Sequence, residues 1–131
     1  MSDASVTASE RITVARRFCG PPDSGNGGYT CGLVAAALPG VVAVTLKRPP
    51  PLERALQLVR TPEGVALLDG ESTVAEARRA TLELQPPPCP GLAVATEAAA
   101  RYHGLEEHAF PSCFVCGTGR APGDGLRIFA G

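Results

Sequence analysis

The sequence predicts an α+β domain in which an antiparallel β-sheet wraps around one central, buried helix. A turn-rich segment, residues 17–26, is followed by a stretch of small or apolar residues without any charge, residues 27–38. A helix that is apolar on every face is typical of a buried helix. Strand-like segments lie on either side of this stretch, and short turns join the later ones, which favours an antiparallel meander. These strands would supply the surroundings that a buried helix needs.

The composition restricts the number of domains and the kinds of partner. At 131 residues the chain fits one domain with enough mass for a core. A formal net charge of −1 provides no positive surface for nucleic acid and little attraction to anionic lipid. No run approaches the roughly 18 apolar residues of a membrane span, and the polar N-terminus lacks the apolar core of a secretory signal. We therefore expect a cytoplasmic protein without nucleic-acid or membrane partners.

The elements of the first half follow from local patterns. Residues 1–9 are predicted to be a flexible tail. Alternating residues over Glu10–Phe18 predict a first strand, and the pair Pro39-Gly40 should end the central helix. The β-branched segment Val41–Arg48 predicts the next strand. Prolines 49–51 cannot donate hydrogen bonds to a neighbouring strand, so they should break this strand at a sheet edge.

Two turns predict hairpins farther along the chain. Residues 61–64 (TPEG) and the pair Asp69-Gly70 each lie between short apolar runs. The next segment, residues 74–84, has two interpretations. Good helix formers after a capping-box pattern, Thr73 to Glu76, favour a helix, whereas the preceding hairpin turn favours a strand. We prefer the strand, because the central helix needs cover.

The C-terminal part has a different composition. The proline-rich segment 85–91 predicts a stiff, extended linker, and the alanine-rich segment Ala93–His103 predicts a helix. Residues 125–131 (GLRIFAG) have a strand-like pattern. The predicted organisation is a flexible tail (1–9), a sheet-and-helix unit (10–88), and a linker, a short helix and what would be the first strand of a second unit (89–131).

Several motifs in this order resemble a known superfamily. They are GPPDSGNGGY before the small-residue helix, the bend LKRPPPLER, the segment VALLDGESTVAEA, and SCFVCGTGRAPGDGLRIFAG near the end. Together they resemble the first repeat of tandem-hotdog members of the thioesterase-like superfamily, and the last motif is similar to the start of the second repeat. The resemblance covers residues 10–131. It implies the hotdog fold and a homodimer or a second hotdog repeat as partner.

The resemblance also implies binding, and often hydrolysis, of acyl thioesters of coenzyme A or of an acyl carrier protein. The first amides of a helix lack internal partners and carry about half a positive charge. Gly27 and Gly28 would let a thioester carbonyl approach these amides, which would stabilise the negative charge that forms on oxygen when water attacks. Both glycines are otherwise explained by a loop that needs unusual dihedral angles.

Four further residues would contact the substrate under this interpretation. An apolar groove beside Tyr29 and Leu33 would take the acyl chain. Lys47 and Arg48, at the end of a strand, would meet the phosphates of the nucleotide end. Strand-end lysines and arginines are more often simply solvated.

The catalytic candidates depart from the pattern of the resemblance. Hotdog hydrolases carry an Asp or Glu near the central helix, but residues 27–40 contain no acid. Asp23 is the nearest carboxylate, and Asn26 is the nearest polar group that could orient water. Asp23 is also an ordinary turn residue, and an inactive repeat whose partner supplies the carboxylate fits equally well. The sequence leaves two functions open, an acyl-CoA thioesterase and a non-catalytic acyl-CoA-binding module.

A third function, a small zinc-stabilised interaction domain, depends on the cysteines. Cys113 and Cys116 have the spacing of one half of a zinc site, and three more residues could complete it: Cys89, His103 and His108. The spacing matches no standard zinc finger, and the βαβ pattern that would support a redox role is missing. Packing of the thiols as small apolar groups is preferred, so we expect no metal and no other cofactor.

Overall fold

Five strands form one antiparallel sheet within residues 10–131, the part of the chain that the computed structural model describes. The elements are β1 (Glu10–Thr13), a 3₁₀ turn (Arg16–Phe18), α1 (Gly27–Ala35), β2 (Val42–Leu46), β3 (Ala55–Arg60), β4 (Gly64–Asp69), β5 (Ser72–Arg79), α2 (Leu92–Ala100) and a second 3₁₀ turn (His103–Leu105). The strand order is β1-β3-β4-β5-β2, and all neighbours are antiparallel. The predicted α+β class is confirmed. The predicted tail, residues 1–9, lies outside the described residues.

Both predicted hairpins are present. In the turn between β3 and β4, the Thr61 hydroxyl accepts a hydrogen bond from the Gly64 amide at 3.0 Å. In the turn between β4 and β5, Gly70 adopts a φ of +59°, a value that glycine reaches without steric cost. Because the strand β5 begins directly after this turn, the strand interpretation of residues 74–84 is confirmed as far as Arg79, and the helix interpretation is wrong.

One face of the sheet carries the core. Directly paired residues point to the same face, and the pairs Leu58–Leu67 and Leu67–Ala75 join three neighbouring strands there. Val34 of α1 packs on this face and is fully buried. Removing such a leucine or valine side chain from water contributes about 1.5–3 kcal/mol each. The helix is therefore fixed to the sheet through this one apolar face.

The expectation of a helix buried on every side is wrong. The helix α1 has nine residues, of which only Thr30 and Val34 are buried. Gly32 is exposed. The helix also ends before the predicted stop at Pro39-Gly40, because the amides of Ala37 and Leu38 make shorter-range bonds to the carbonyls three residues earlier. Small or apolar residues lie on every side of the helix, but only one side packs against the sheet.

The strand before α1 is shorter than predicted, whereas the strand after α1 lies at the sheet edge as predicted. The first strand ends at Thr13 instead of Phe18, since its partner β3 begins at Ala55, which pairs with Thr13. The following Val14 carbonyl accepts a hydrogen bond from the Glu53 amide at 2.9 Å. The strand β2 lies at the sheet edge as predicted, and the prolines 49–51 follow it.

The C-terminal region is mostly irregular. The predicted linker has no regular secondary structure, and the predicted helix is present as α2, in which no residue is buried. Residues 125–131 do not form a strand. The amides of Leu126 and Ile128 instead donate to the carbonyls of Phe114 and Val115 at 2.8 and 2.9 Å. That this segment begins a second repeat stays a prediction.

Among residues 10–131, no helix combines the length and the apolar character that crossing a membrane requires.

Candidate functional site

The turn before α1 is closed by backbone hydrogen bonds. The Gly20 amide donates to the Ser24 carbonyl at 3.0 Å, and the Asn26 amide donates to the Phe18 carbonyl at 2.8 Å. A side chain at Gly25 would come within 3.0 Å of the Thr30 hydroxyl, so glycine permits the close approach of turn and helix. This turn therefore places Asn26 at the first position before the helix.

Asn26 caps the helix. Its Oδ1 accepts a hydrogen bond from the Tyr29 amide at 3.0 Å, as helix-capping asparagines do. Its carbonyl accepts from the Thr30 amide at 3.0 Å and from the Thr30 hydroxyl at 2.9 Å. Among the described residues, the amides of Gly27 and Gly28 donate no hydrogen bond. These are the two amides that we expected a thioester carbonyl to approach.

The two catalytic candidates have different environments. Asn26 Oδ1 is engaged with the helix, and Nδ2 donates to the Cys113 sulfur at 3.6 Å, so only its second hydrogen is available to a ligand. Asp23 lies exposed in the turn, where the Ser24 amide donates to the Pro21 carbonyl at 3.2 Å. Within residues 10–131, no hydrogen bond or ion pair joins the Asp23 carboxylate to another side chain. The structure thus gives Asp23 the surroundings of a turn residue.

Tyr29 belongs to an aromatic cluster that the sequence did not predict. Its ring stacks on Phe18 with 4.1 Å between centroids and an interplanar angle of 11°. Phe114 meets Phe18 edge-on at 4.9 Å and Tyr29 at 6.0 Å. Such pairs contribute about 0.5–1.5 kcal/mol beyond the burial of their area. The cluster joins the start of α1 to the C-terminal region.

Arg120 holds this C-terminal segment in place and was also missed. Its side chain is only 10% exposed and donates to the carbonyls of Arg17 and Ser112, the latter at 2.8 Å. It also contacts Asp124 at 3.2 Å, which in turn pairs with Arg17 at 3.1 Å. Its guanidinium lies 5.7 Å from the centre of the Phe114 ring. Local sequence patterns do not reveal these contacts, because residues 17 and 120 are far apart in the chain.

Leu33, Lys47 and Arg48 lie apart from the first amides of α1. Leu33 is half-buried one turn farther along the helix. Leu46 of β2 contacts Gly27, since a Cβ there would lie 3.1 Å from its Cδ1. Successive strand residues point to opposite faces, so the side chain of Lys47 points away from the helix.

The side chain of Lys47 has an acidic partner on that outer face. Its Nζ pairs there with Glu76 Oε2 at 3.2 Å, and both side chains are about half exposed. Lys47 also lines a groove of about 450 Å³ together with Thr45 and Arg78. Arg48 is exposed beside Glu71. The structure therefore places Asn26 next to the first residues of α1, whereas Lys47 and Arg48 lie away from them.

The cysteines do not gather into a metal centre. Among residues 10–131, no three His, Cys, Asp or Glu side chains lie close enough to hold a metal ion. Cys113 is buried, and its sulfur accepts from Asn26, while Cys19 contacts the Ser112 carbonyl at 3.3 Å. Burial raises the pKa of the Cys31 thiol on α1. The structure gives no support to a zinc-stabilised domain.

Comparison with known proteins finds no matching family model, no matching curated protein and no matching solved structure.

Proposed function

We propose that residues 10–88 form a hotdog domain that binds an acyl thioester of coenzyme A or of an acyl carrier protein. The sheet order β1-β3-β4-β5-β2, with α1 in the connection between β1 and β2 and packed on one face, supports this arrangement. The observation that carries the functional proposal is the pair of amides at Gly27 and Gly28. Among the described residues they have no acceptor, so a ligand oxygen can take that place.

The chemistry of this helix start suits a thioester carbonyl. The unpaired N–H groups and the helix dipole together favour negative charge at this end of α1. A carbonyl oxygen would accept from the amides of Gly27 and Gly28, and the absence of side chains there would allow the approach. Leu46 beside Gly27 provides an apolar surface for the carbon chain next to the thioester.

Binding without turnover is the better supported form of this proposal. Hydrolysis requires a base that takes a proton from water while the water oxygen attacks the thioester carbon. The exposed position of Asp23 and the capping bond of Asn26 favour a module that holds its ligand without cleaving it. A thioesterase would need Asp23 to approach the carbonyl, or a carboxylate from a partner.

A homodimer or a second hotdog repeat is part of the proposal. The strands β1 and β2 are the edges of the sheet, and unpaired edges invite a further strand. Near the β2 edge, Val41 is 48% exposed and Leu46 is 37% exposed. A second copy or a second repeat beside β2 would cover both.

The test is titration of the intact chain with a series of acyl-CoAs, and with an acyl carrier protein, by calorimetry. Release of free coenzyme A thiol is followed in the same samples, and light scattering gives the oligomeric state. We expect binding without turnover, and unchanged binding in Asp23→Ala. Turnover that disappears in Asp23→Ala would favour the thioesterase instead. If no acyl thioester binds, the proposed function is wrong.

A further inference from the structure

Two thiols of the C-terminal region, Cys113 and Cys116, lie close together in the chain and outside the proposed site. Cys113 is only 6% exposed, and Cys116 is half-buried. The Gly117 amide donates to the Cys113 carbonyl at 2.9 Å, and this tight turn makes Cys113 and Cys116 neighbours. Asn26 Nδ2 donates to the Cys113 sulfur at 3.6 Å. Neither acyl-thioester binding at the start of α1 nor hydrolysis there involves this pair.

The surroundings of the two sulfurs shift the pKa values of the two thiols in opposite directions. Burial raises the pKa of Cys113, but hydrogen bonds from the amides of Cys116 and Val115, and from the side chains of Cys116 and Asn26, lower it below its ordinary value. Burial and the neighbouring Cys113 raise the pKa of Cys116. Of the two thiols, Cys113 therefore loses its proton more readily, and the thiolate is the form that reacts with an oxidant.

We propose that Cys113 and Cys116 are a reversible redox pair, in which a small hydroperoxide oxidises Cys113 and Cys116 then closes an intramolecular disulfide. In the first step the Cys113 thiolate attacks one peroxide oxygen. The O–O bond breaks, an S–O bond forms, and hydroxide or alkoxide leaves, so that Cys113 becomes a sulfenic acid. A small oxidant suits this step because Cys113 is nearly buried.

The second step joins the two sulfurs. The sulfur of Cys116 attacks the sulfur of Cys113, the S–O bond breaks, and the hydroxyl leaves as water with the proton of Cys116. Two thiols are oxidised by two electrons in total, and the peroxide is reduced. A dithiol reductant reverses the reaction by thiol–disulfide exchange, in which its own sulfurs become the disulfide.

The other three cysteines provide natural comparisons. Cys89 is exposed in the linker, Cys31 lies on α1 with a raised pKa, and Cys19 contacts Ser112 and Arg120. Exposure alone would direct an oxidant to Cys89 first. The proposal instead directs it to Cys113, whose sulfur accepts a hydrogen bond from Asn26 and whose pKa is lowered.

The redox pair also reaches the helix cap. In the reduced chain, Asn26 donates from Nδ2 to Cys113 and accepts at Oδ1 from the Tyr29 amide. A disulfide sulfur carries no negative charge and is a weaker acceptor than a thiolate. Oxidation should therefore loosen the link between the segment that holds Cys113 and the start of α1, whether or not the chain binds a thioester.

The experiment treats the intact chain with hydrogen peroxide, alkylates the remaining thiols, and identifies the modified peptides by mass spectrometry. We expect two fewer alkylated thiols, a single Cys113–Cys116 crosslink, and full recovery after reduction with dithiothreitol. Cys89→Ser is the control and should give the same crosslink. Cys116→Ser should stop at a sulfenic acid on Cys113, which dimedone traps. A crosslink that includes Cys19, Cys31 or Cys89 would overturn the proposal, as would five thiols that all stay alkylatable.

Two variants at the cap test the role of the hydrogen bond. Asn26→Ser and Asn26→Asp both keep a residue that caps helices, but neither can donate from Nδ2 to Cys113. We expect oxidation of Cys113 to slow severalfold in Asn26→Ser and further in Asn26→Asp, whose carboxylate repels a thiolate. Circular dichroism verifies that α1 is retained. If Cys113 is oxidised as fast in both variants as in the original chain, the hydrogen bond from Asn26 does not assist the oxidation.

Discussion

The two regions of the chain, residues 10–80 and residues 81–131, are held together by different interactions. Apart from Cys113, every buried hydrophobic residue in the described part of the chain lies in the first region. Its strands are joined by continuous backbone pairing from β1 to β2. The second region has no strand, and its helix α2 buries no residue.

The second region is attached by a few directional contacts and by the ring of Phe114 on Phe18 and Tyr29, instead of by a core of its own. The Phe114 amide donates to the Cys19 carbonyl at 2.8 Å, and Arg120 bonds to the carbonyls of Arg17 and Ser112. Directional contacts fix the position of a segment but contribute less stability than a buried apolar layer. The comparison teaches that the fold depends on the first region, whereas the surroundings of the helix cap depend on both.

Truncation in the core of the first region should have the largest effect. Leu67 is fully buried between β3 and β5, so Leu67→Ala removes apolar contacts and leaves a cavity. We expect the free energy of unfolding to fall by about 2–5 kcal/mol. Urea denaturation followed by circular dichroism measures it.

The matched control is a leucine of the second region. Leu84 is 71% exposed, so Leu84→Ala should change the free energy of unfolding by less than about 0.5 kcal/mol. Equal losses in the two variants would show that residues 81–131 contain an apolar core of their own, and the contrast between the regions would be wrong.

Removal of the Arg120 side chain should have an intermediate effect confined to the second region. Arg120→Ala leaves the carbonyls of Arg17 and Ser112 without their charged donor, which costs roughly 1.5–3 kcal/mol of local stability. Hydrogen exchange should then accelerate at the Phe114 and Leu126 amides, while the amides of β4 and β5 keep their protection.

A surface arginine provides the control for this variant. Arg101 pairs with Glu97 at 2.8 Å, but both side chains are largely exposed. Such pairs contribute little, so Arg101→Ala should leave hydrogen exchange in both regions unchanged. Faster exchange throughout the sheet in Arg120→Ala would mean that the second region supports the fold after all.

The sequence predicts the sheet better than it predicts the contacts between regions. Turn chemistry is local, so the pair Asp69-Gly70 predicted a hairpin correctly. The burial of α1 was wrong because small residues on every side do not reveal which side packs. The Arg17–Asp124 ion pair at 3.1 Å depends on tertiary structure, and no local pattern indicates it.

The candidate site was predicted only in part, because some of its features follow from local sequence and others depend on tertiary structure. Gly27 and Gly28 do begin the helix, because the turn formers before them and the small residues after them are local signals. The capping role of Asn26 could have been inferred, since asparagine before a helix is a known start signal. The aromatic partner Phe114 could not, because only the folded chain brings it to Tyr29.

The smallest expected effect is on acyl-CoA binding, and it should appear at the start of α1 but not farther along the helix. A Cβ at Gly28 would lie 3.5 Å from Asn26 Oδ1, an ordinary contact, so Gly28→Ala should fold. Its methyl group would hinder a carbonyl that approaches the amide, and loss of one such hydrogen bond should weaken acyl-CoA binding roughly tenfold. Gly32→Ala, four residues on in the same helix, meets no atom within 4 Å and should bind normally while it gains up to about 1 kcal/mol of stability. Calorimetry and urea denaturation measure the two quantities. If both variants bind acyl-CoA equally well, the amides at the start of α1 do not hold the ligand.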